Sequence, residues 1–141
     1  MKKGFTLIEL LVVIAIIALL STLSVVALNS ARVKARDARR VSDIKQIRTA
    51  LEMYFDAKLE YPAGSSVELG SSTARCLSAT NAFNANCAGT IFMQNVPKDP
   101  QSPTRKYKYV KGTGTTPTYT IEYFNESDNV TKIATESSMG Q

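Results

Sequence analysis

The chain has 141 residues, enough for one domain, and its 44% hydrophobic and 21% charged composition is close to a globular average. It contains no histidine and two cysteines, which excludes histidine triads, histidine metal ligands and a four-thiolate zinc site, and we expect no enzyme activity, metal or cofactor. The net charge of +5 includes Lys2 and Lys3, and the remainder is too small to indicate nucleic-acid binding by itself.

A predominantly apolar segment, residues 5–28, follows the basic start, and no polar side chain lies between Leu10 and Leu20. As a helix it measures about 36 Å, enough to cross a hydrocarbon core of about 30 Å. It contains no glycine or proline and is hydrophobic on all sides, so it requires lipid or a bundle of similar helices. The segment therefore predicts a transmembrane or assembly-core helix.

Glu9 is the anomaly of this segment, because an unpaired carboxylate inside a membrane costs a few kcal/mol. No side-chain cation lies within one helical turn of it. Cleavage after Gly4 would create one, the α-amine of Phe5, which is charged near neutral pH. Phe5 and Glu9 share a helix face, so the pair would form within one chain or between neighbouring chains. Only the second arrangement gives recognition between subunits.

The start of the chain reads Lys3-Gly4-Phe5-Thr6-Leu7-Ile8-Glu9-Leu10-Leu11-Val12-Val13-Ile14-Ala15-Ile16. It resembles the class III signal of type IV pilins and type II secretion pseudopilins, with a short basic leader, a glycine before the cut and a glutamate shortly after it. The resemblance implies cleavage between Gly4 and Phe5 by a prepilin peptidase and N-methylation of Phe5. It also implies that Glu9 pairs with the N-terminal amine of an incoming subunit.

The resemblance further implies a homo-oligomeric helical filament, assembled by an ATPase and an inner-membrane platform protein. The chain would be a single-pass cell membrane protein in contact with the lipid bilayer before assembly. Afterwards it would belong to an extracellular pilus (fimbrium) or to a periplasmic or envelope pseudopilus. The sequence leaves open which filament this is and whether the subunit is major or minor.

Three alternatives remain. An ordinary secretory signal would use residues 25–27 as its small-residue cleavage site, and a plain single-span anchor would keep the segment. Both leave Glu9 unexplained. The third is a minor pilin that binds DNA or surfaces.

The positive-inside rule conflicts with the orientation expected of a pilin, since more cations follow the apolar segment than precede it. The leader motif is more specific than this rule, and we give it precedence.

The helix is expected to continue to about Lys58, because no proline precedes Pro62 and no glycine lies between Gly4 and Gly64. Apolar residues at spacings of three and four predict a face that packs on the chain's own sheet: Val41, Ile44, Ile47, Leu51, Tyr54 and Phe55. Residues 29–40 lack this face and are expected to form a neck that does not touch the domain.

Four arginines of the neck fall within an arc of about 100°: Arg32, Arg36, Arg39 and Arg40. We expect them at the lipid headgroups and later in ion pairs with carboxylates of neighbouring subunits, such as Asp37 or Asp43. The alternative is a DNA-contacting stripe. We favour the first interpretation, because a filament would cover the neck, and a nucleic-acid partner is not expected.

Residues 62–141 are predicted to form the globular head. A polar connection to about Thr90, the αβ-loop, contains Cys76 and Cys87, and on export these would form a disulfide worth about 3 kcal/mol. Three short runs with strand character, at 106–110, 119–124 and 130–135, predict an antiparallel meander on the helix, and the first two alternate between apolar and polar residues. The fold class is therefore α+β, with leader 1–4, transmembrane helix 5–28, neck and amphipathic helix 29–61, and head 62–141.

Two further features of the head are weaker. The segments 96–100 and 107–109 resemble the stretch that precedes the sheet in major pseudopilins, although the apolar helix lacks the proline that many pilins carry. The polar residues 125–129 are interpreted as a hairpin turn rather than a calcium loop, because their spacing fits no EF-hand. Asn125 and Asn129 begin glycosylation sequons that matter only in a glycosylating host.

Overall fold

The computed structural model describes residues 4–135. The chain divides into two compact units, Met1–Ala35 and Arg36–Gln141. One helix, α1 (Leu7–Lys58), contributes to both, and the strands of the described residues all lie in the second unit. They are β1 (Val67–Leu69), β2 (Cys76–Ser78), β3 (Ala82–Asn84), β4 (Ile91–Met93), β5 (Tyr107–Lys111), β6 (Tyr119–Asn125) and β7 (Val130–Thr135).

The length of α1 confirms the prediction of one helix ending at Lys58. The helix stops where Leu59 adopts a left-handed conformation, with φ of 58°. The Leu59 N–H still donates to the Phe55 carbonyl oxygen at 2.7 Å, which satisfies one of the last helical carbonyls. Pro62 follows and prevents the helix from resuming.

In the Met1–Ala35 unit, the described part of α1 carries many exposed apolar side chains. Every large hydrophobic side chain from Phe5 to Leu28 is exposed, and the most apolar window of the helix has a mean hydropathy of 2.9. This part of the helix is long and apolar enough to cross a membrane. Its surface therefore requires a membrane or other protein to cover it.

The main sheet of the Arg36–Gln141 unit is antiparallel, with strand order β1-β5-β6-β7. The predicted three-stranded meander is confirmed as β5, β6 and β7, and the structure adds β1 at the edge beside β5. Strand alternation sends Tyr107 and Tyr109 of β5 into the core while Lys108 faces solvent. On β6, Tyr119 and Ile121 point inward in the same way.

The core of this unit lies between the sheets and the second half of α1. The predicted apolar face is confirmed for Ile44, Ile47, Leu51 and Tyr54, which are all buried. Val41 is the exception, since it is 40% exposed. In that turn the side chain that points into the core is Arg40. Val41 is the next residue and is therefore rotated by about 100° around the helix, away from the core.

The αβ-loop was predicted as a polar connection, and that prediction is wrong for much of it. A second antiparallel sheet, with order β3-β2-β4, occupies this region and buries Leu77 completely. Cys76 at the start of β2 forms a disulfide with Cys87. The bridge ties β2 to the segment that connects β3 with β4.

Candidate processing and assembly site

The first helical turn of α1 is closed by a reciprocal cap between Thr6 and Glu9. The Thr6 backbone N–H and its hydroxyl both donate to Glu9 Oε2, at 2.8 and 2.6 Å, and the Glu9 N–H donates to Thr6 Oγ1 at 3.3 Å. This is a capping box, in which the two residues satisfy backbone donors that a helix start leaves open. Sequence reasoning missed Thr6, although threonine followed three residues later by glutamate is the sequence signature of this cap.

The capping box uses one oxygen of the Glu9 carboxylate. Within residues 4–135, Oε1 has no hydrogen-bond partner. Phe5, one residue before the cap, is 77% exposed, and a side chain at Gly4 would meet no atom within 4 Å. The predicted cleavage position therefore lies in an exposed, non-helical segment directly before α1, while Lys2 and Lys3 of the leader lie outside the described residues.

The arginines of the neck divide into two pairs with different environments. Arg32 and Arg39 are exposed, and Arg39 forms a 3.9 Å ion pair with Asp43. Arg36 and Arg40 instead bind the chain's own head. The prediction that residues 29–40 do not touch the domain is therefore wrong for Arg36 and Arg40, because carboxylates distant in sequence fold onto them.

Arg40 is the centre of this buried network, and its side chain is fully buried. Its guanidinium binds Asp99 through two hydrogen bonds, Nε to Oδ2 at 2.7 Å and Nη2 to Oδ1 at 3.0 Å. Nη1 donates to Asp37 Oδ1 at 2.8 Å and also to Glu126. Arg36, one helical turn before Arg40, binds the same Glu126 carboxylate, and its Nη2 donates to Oε2 at 2.6 Å.

Asp37 anchors the turn between β6 and β7 to the helix. Its two oxygens accept the backbone N–H groups of Glu126 and Ser127, both at 2.9 Å, and the Ser127 hydroxyl at 2.6 Å. Burial disfavours the charged form, but these donors and Arg40 outweigh it and lower the pKa of Asp37 to about 2. Glu126 has a lowered pKa for a related reason, the hydrogen bonds from Arg36, which outweigh its burial.

Asp43 has the opposite electrostatic environment. Burial raises its pKa above the ordinary value, although the Tyr107 hydroxyl donates to Oδ2 at 3.0 Å and favours the carboxylate. Asp37 and Asp43 were the predicted ion-pair partners for arginines of neighbouring subunits. Both are buried and hydrogen-bonded within this chain, so they are not exposed carboxylates.

The polar segment 125–129 forms the predicted hairpin turn between β6 and β7. Asn129 has a φ of 54°, a conformation that asparagine tolerates well, and the Asn125 side chain accepts the Asp128 N–H at 3.0 Å. Among residues 4–135, no group of three or more histidine, cysteine or acidic side chains lies close enough to hold a metal ion. The acidic side chains of the turn instead bind cations of the chain, as in the Asp128–Lys132 ion pair.

Residues 1–25 match the family model for the prokaryotic N-terminal methylation motif. This motif is the signature of prepilin-type cleavage in type IV pilins and pseudopilins, proteins that are structural rather than enzymatic. The match includes Gly4, Phe5 and Glu9, and the long helix packed on antiparallel sheets is consistent with a pilin fold. No curated protein and no solved structure gave a significant match to the chain.

The chain therefore carries a prepilin-type processing signal at the start of an apolar helix of membrane-spanning length. Together these features support membrane anchoring of the precursor.

Proposed function

We propose that this chain is the structural subunit of a type IV pilus-type filament. The prepilin peptidase cleaves between Gly4 and Phe5 and N-methylates Phe5, and the mature chains polymerise through the apolar half of α1. The observation that carries the proposal is the methylation motif on a helix whose large apolar side chains from Phe5 to Leu28 are all exposed. Such a surface is stable in a bilayer or in a bundle of identical helices, and a filament subunit uses both in turn.

The remaining partners follow from this assignment. An assembly ATPase and a membrane platform protein move the subunit from the bilayer into a helical homo-oligomer, which is a pilus or a pseudopilus. The head provides the surface of the filament. The proposal includes no catalytic step, cofactor or nucleic acid.

Glu9 has two separate roles in this proposal. In the precursor, Oε2 caps the helix through Thr6, and Oε1 is available to a further donor. After cleavage, the Phe5 amine of an incoming subunit binds this carboxylate and sets the register between neighbouring helices. A charged pair in an apolar surrounding is strongly favoured over two separate buried charges. A helix that docks in a different register would leave both charges unpaired, and that register is therefore disfavoured.

The first test is the mature N-terminus, measured by mass spectrometry on protein from the native host. A chain that begins with N-methylated Phe5 supports the proposal. A chain that begins near Leu28 would identify an ordinary secretory signal, and an unprocessed chain in purified filaments would exclude the prepilin pathway.

Glu9 variants separate the charge pair from the helix cap. Glu9→Gln keeps an acceptor for Thr6 but removes the charge, because glutamine also serves in capping boxes, whereas Glu9→Val removes both functions. We expect both variants to insert in the membrane and neither to form filaments. Normal filaments from Glu9→Gln, with none from Glu9→Val, would show that the cap and not the charge pair is required.

A further inference from the structure

The main sheet has an outer side, opposite the side that packs on α1, and this outer side carries a cleft of about 310 Å³. That volume is at the lower end of the range for small-ligand pockets. Strand register places the lining residues, because Lys108 of β5 lies directly opposite Glu122 of β6. In the next row of the same face, Phe124 of β6 lies directly opposite Thr131 of β7.

Arg105 also lines the cleft, two residues before β5 begins. Its guanidinium carbon lies 3.5 Å from the centroid of the Phe124 ring, a cation–π contact that uses none of its N–H donors. In the part of the chain that the structure describes, this guanidinium forms no ion pair. Its N–H donors are therefore available to an anion, and their fork matches the two oxygens of a carboxylate.

Lys108 supplies a second cation to the cleft. It is exposed, and within residues 4–135 it forms no ion pair, although Glu122 is its neighbour across the strands. Lys106, which lines the same cleft, is instead paired with Glu68 at 2.8 Å. Arg105 and Lys108 thus stand against one carboxylate, and the net positive charge favours an anionic ligand.

The remaining polar side chains of the cleft favour a ligand that also carries hydroxyl groups. The Glu122 carboxylate forms no ion pair with any of the residues 4–135, and its oxygens are acceptors for hydroxyl donors. Thr104 and Thr131 are exposed in the lining, and their hydroxyls both donate and accept. A simple anion would be repelled by Glu122, whereas a molecule with an anionic group and several hydroxyls satisfies both kinds of partner.

We propose that this cleft binds an acidic sugar, a uronic acid unit of a polysaccharide. Arg105 and Lys108 bind the sugar carboxylate, and Glu122 accepts hydrogen bonds from the hydroxyls. The inference goes beyond the filament proposal and does not depend on it, since every lining residue belongs to one head. Through this site the membrane-anchored chain or its filament would attach to an acidic polysaccharide.

A single-stranded nucleic acid fits the cleft less well. Its bases stack on exposed aromatic rings, and the Phe124 ring already holds the Arg105 guanidinium. Its phosphates require a row of cations and would meet the Glu122 carboxylate in the lining.

Amide NMR shifts of the full-length chain in detergent micelles test the site, with trigalacturonate as the acidic probe and maltotriose as the neutral one. One sugar unit in a small open cleft predicts a dissociation constant on the order of 1 mM. Maltotriose should bind at least about tenfold more weakly, because it has the hydroxyls without the carboxylates. Unchanged shifts in β5, β6 and β7 at about 10 mM trigalacturonate, or equal binding of the two sugars, would overturn the proposal.

Neutralising single cations tests which residues bind the carboxylate. Arg105→Gln and Lys108→Gln should each weaken trigalacturonate binding about fivefold or more, in chains whose remaining amide spectrum is unchanged. Lys58→Gln is the matched control, because it removes the same charge at an exposed position outside the cleft, and it should change the constant less than about twofold. Equal effects of the three substitutions would show attraction to net charge alone and overturn the site.

Glu122→Gln separates an acidic sugar from polyanions in general. An amide is a weaker acceptor of hydroxyl hydrogen bonds than a carboxylate, so we expect this variant to bind trigalacturonate about threefold or more weakly than wild type. A phosphate chain would only lose a repulsive charge. Tighter binding of a single-stranded oligothymidylate by Glu122→Gln, together with a preference of wild type for this probe over trigalacturonate, would assign the cleft to nucleic acid and overturn the sugar site. Filament formation is not a readout here, so such a failure leaves the filament proposal unaffected.

Discussion

Arg40 and Asp99 form a fully buried ion pair with two hydrogen bonds, although 59 positions separate them in the sequence. The pair joins α1 to the loop that precedes β5. Glu126, Asp37 and Gln101 also accept hydrogen bonds from the guanidinium, so the helix, this loop and the β6–β7 turn meet at one side chain. A buried charge of this kind is tolerated only when it is paired and hydrogen-bonded on all sides.

The first prediction concerns the loss of this guanidinium. Arg40→Met keeps a long aliphatic side chain but leaves Asp37, Asp99 and Glu126 without their shared cation. Because removing one partner of a buried ion pair leaves uncompensated charge, we expect the head to lose about 3–5 kcal/mol of unfolding free energy. Thermal and denaturant unfolding of the full chain in detergent micelles measures this loss.

Arg39→Met is the control for this experiment. The Arg39 side chain is 67% exposed and its ion pair with Asp43 is long, at 3.9 Å, so its removal should change stability by less than about 0.5 kcal/mol. Equal effects of the two substitutions would contradict the central role of Arg40.

The second prediction is an acid dependence that originates at Asp37. Its pKa of about 2 in the folded chain lies below the ordinary value of 3.8, so its ionised form stabilises the fold. This contribution is fully present above about pH 4 and is lost as the pH falls toward 2. Asp37→Asn should be less stable at pH 7 and should lose less further stability between pH 4 and pH 2 than wild type.

Melting temperatures measured across this pH range give the result. Asp43 is a useful comparison because burial raises its pKa, so its ionisation opposes folding as the pH rises. Asp43→Asn should therefore lose at least as much stability between pH 4 and pH 2 as wild type does. Identical pH profiles for wild type and Asp37→Asn would show that Asp37 is not the group responsible.

The sequence was sufficient for the elements whose pattern is local. The helix end near Lys58 and the three long strands were predicted because their periodicity, and the absence of glycine and proline, appear within a short window. Strands β1 to β4 have three residues each, which is too short for an alternating pattern to be recognised. Polar residues surround them, so the sequence indicated a loop.

The candidate site could likewise be predicted from the sequence only where its residues are close together in the chain. The processing motif is contiguous, so Gly4, Phe5 and Glu9 were found from the sequence alone. The partners of Arg36 and Arg40 lie far along the chain, and a run of arginines carries no information about which carboxylates fold onto it. When such partners exist, an arginine can occupy a core-facing helical position that is normally apolar. Because the sequence does not show these partners, Val41 was predicted to face the core instead of Arg40.

The third prediction concerns the Cys76–Cys87 disulfide, which closes a loop with a sequence separation of 11. Replacing both cysteines by serine removes a constraint on the unfolded chain, worth about 3 kcal/mol for a loop of this size. The destabilisation should be reproduced when wild type is unfolded in the presence of a thiol reductant. A reductant effect of equal size in the double variant would show that the bridge is not its cause.

The fourth prediction tests the contact between the β1–β2 connection and the loop before Asp99. Gly70 has a φ of +71°, and a Cβ at this position would lie 2.7 Å from both the Pro97 carbonyl oxygen and the Lys98 Cβ. Gly70→Ala therefore combines a left-handed backbone with a collision against main chain, and we expect a loss of about 2 kcal/mol or more. Gly114→Ala is the matched control, because its Cβ would lie 3.9 Å from the nearest atom, the Thr116 carbonyl oxygen, and stability should change by less than about 0.5 kcal/mol. If Gly70→Ala unfolds at the same denaturant concentration as Gly114→Ala, the loop before Asp99 does not pack against Gly70, and the position of Asp99 beside Arg40 must be maintained by other contacts.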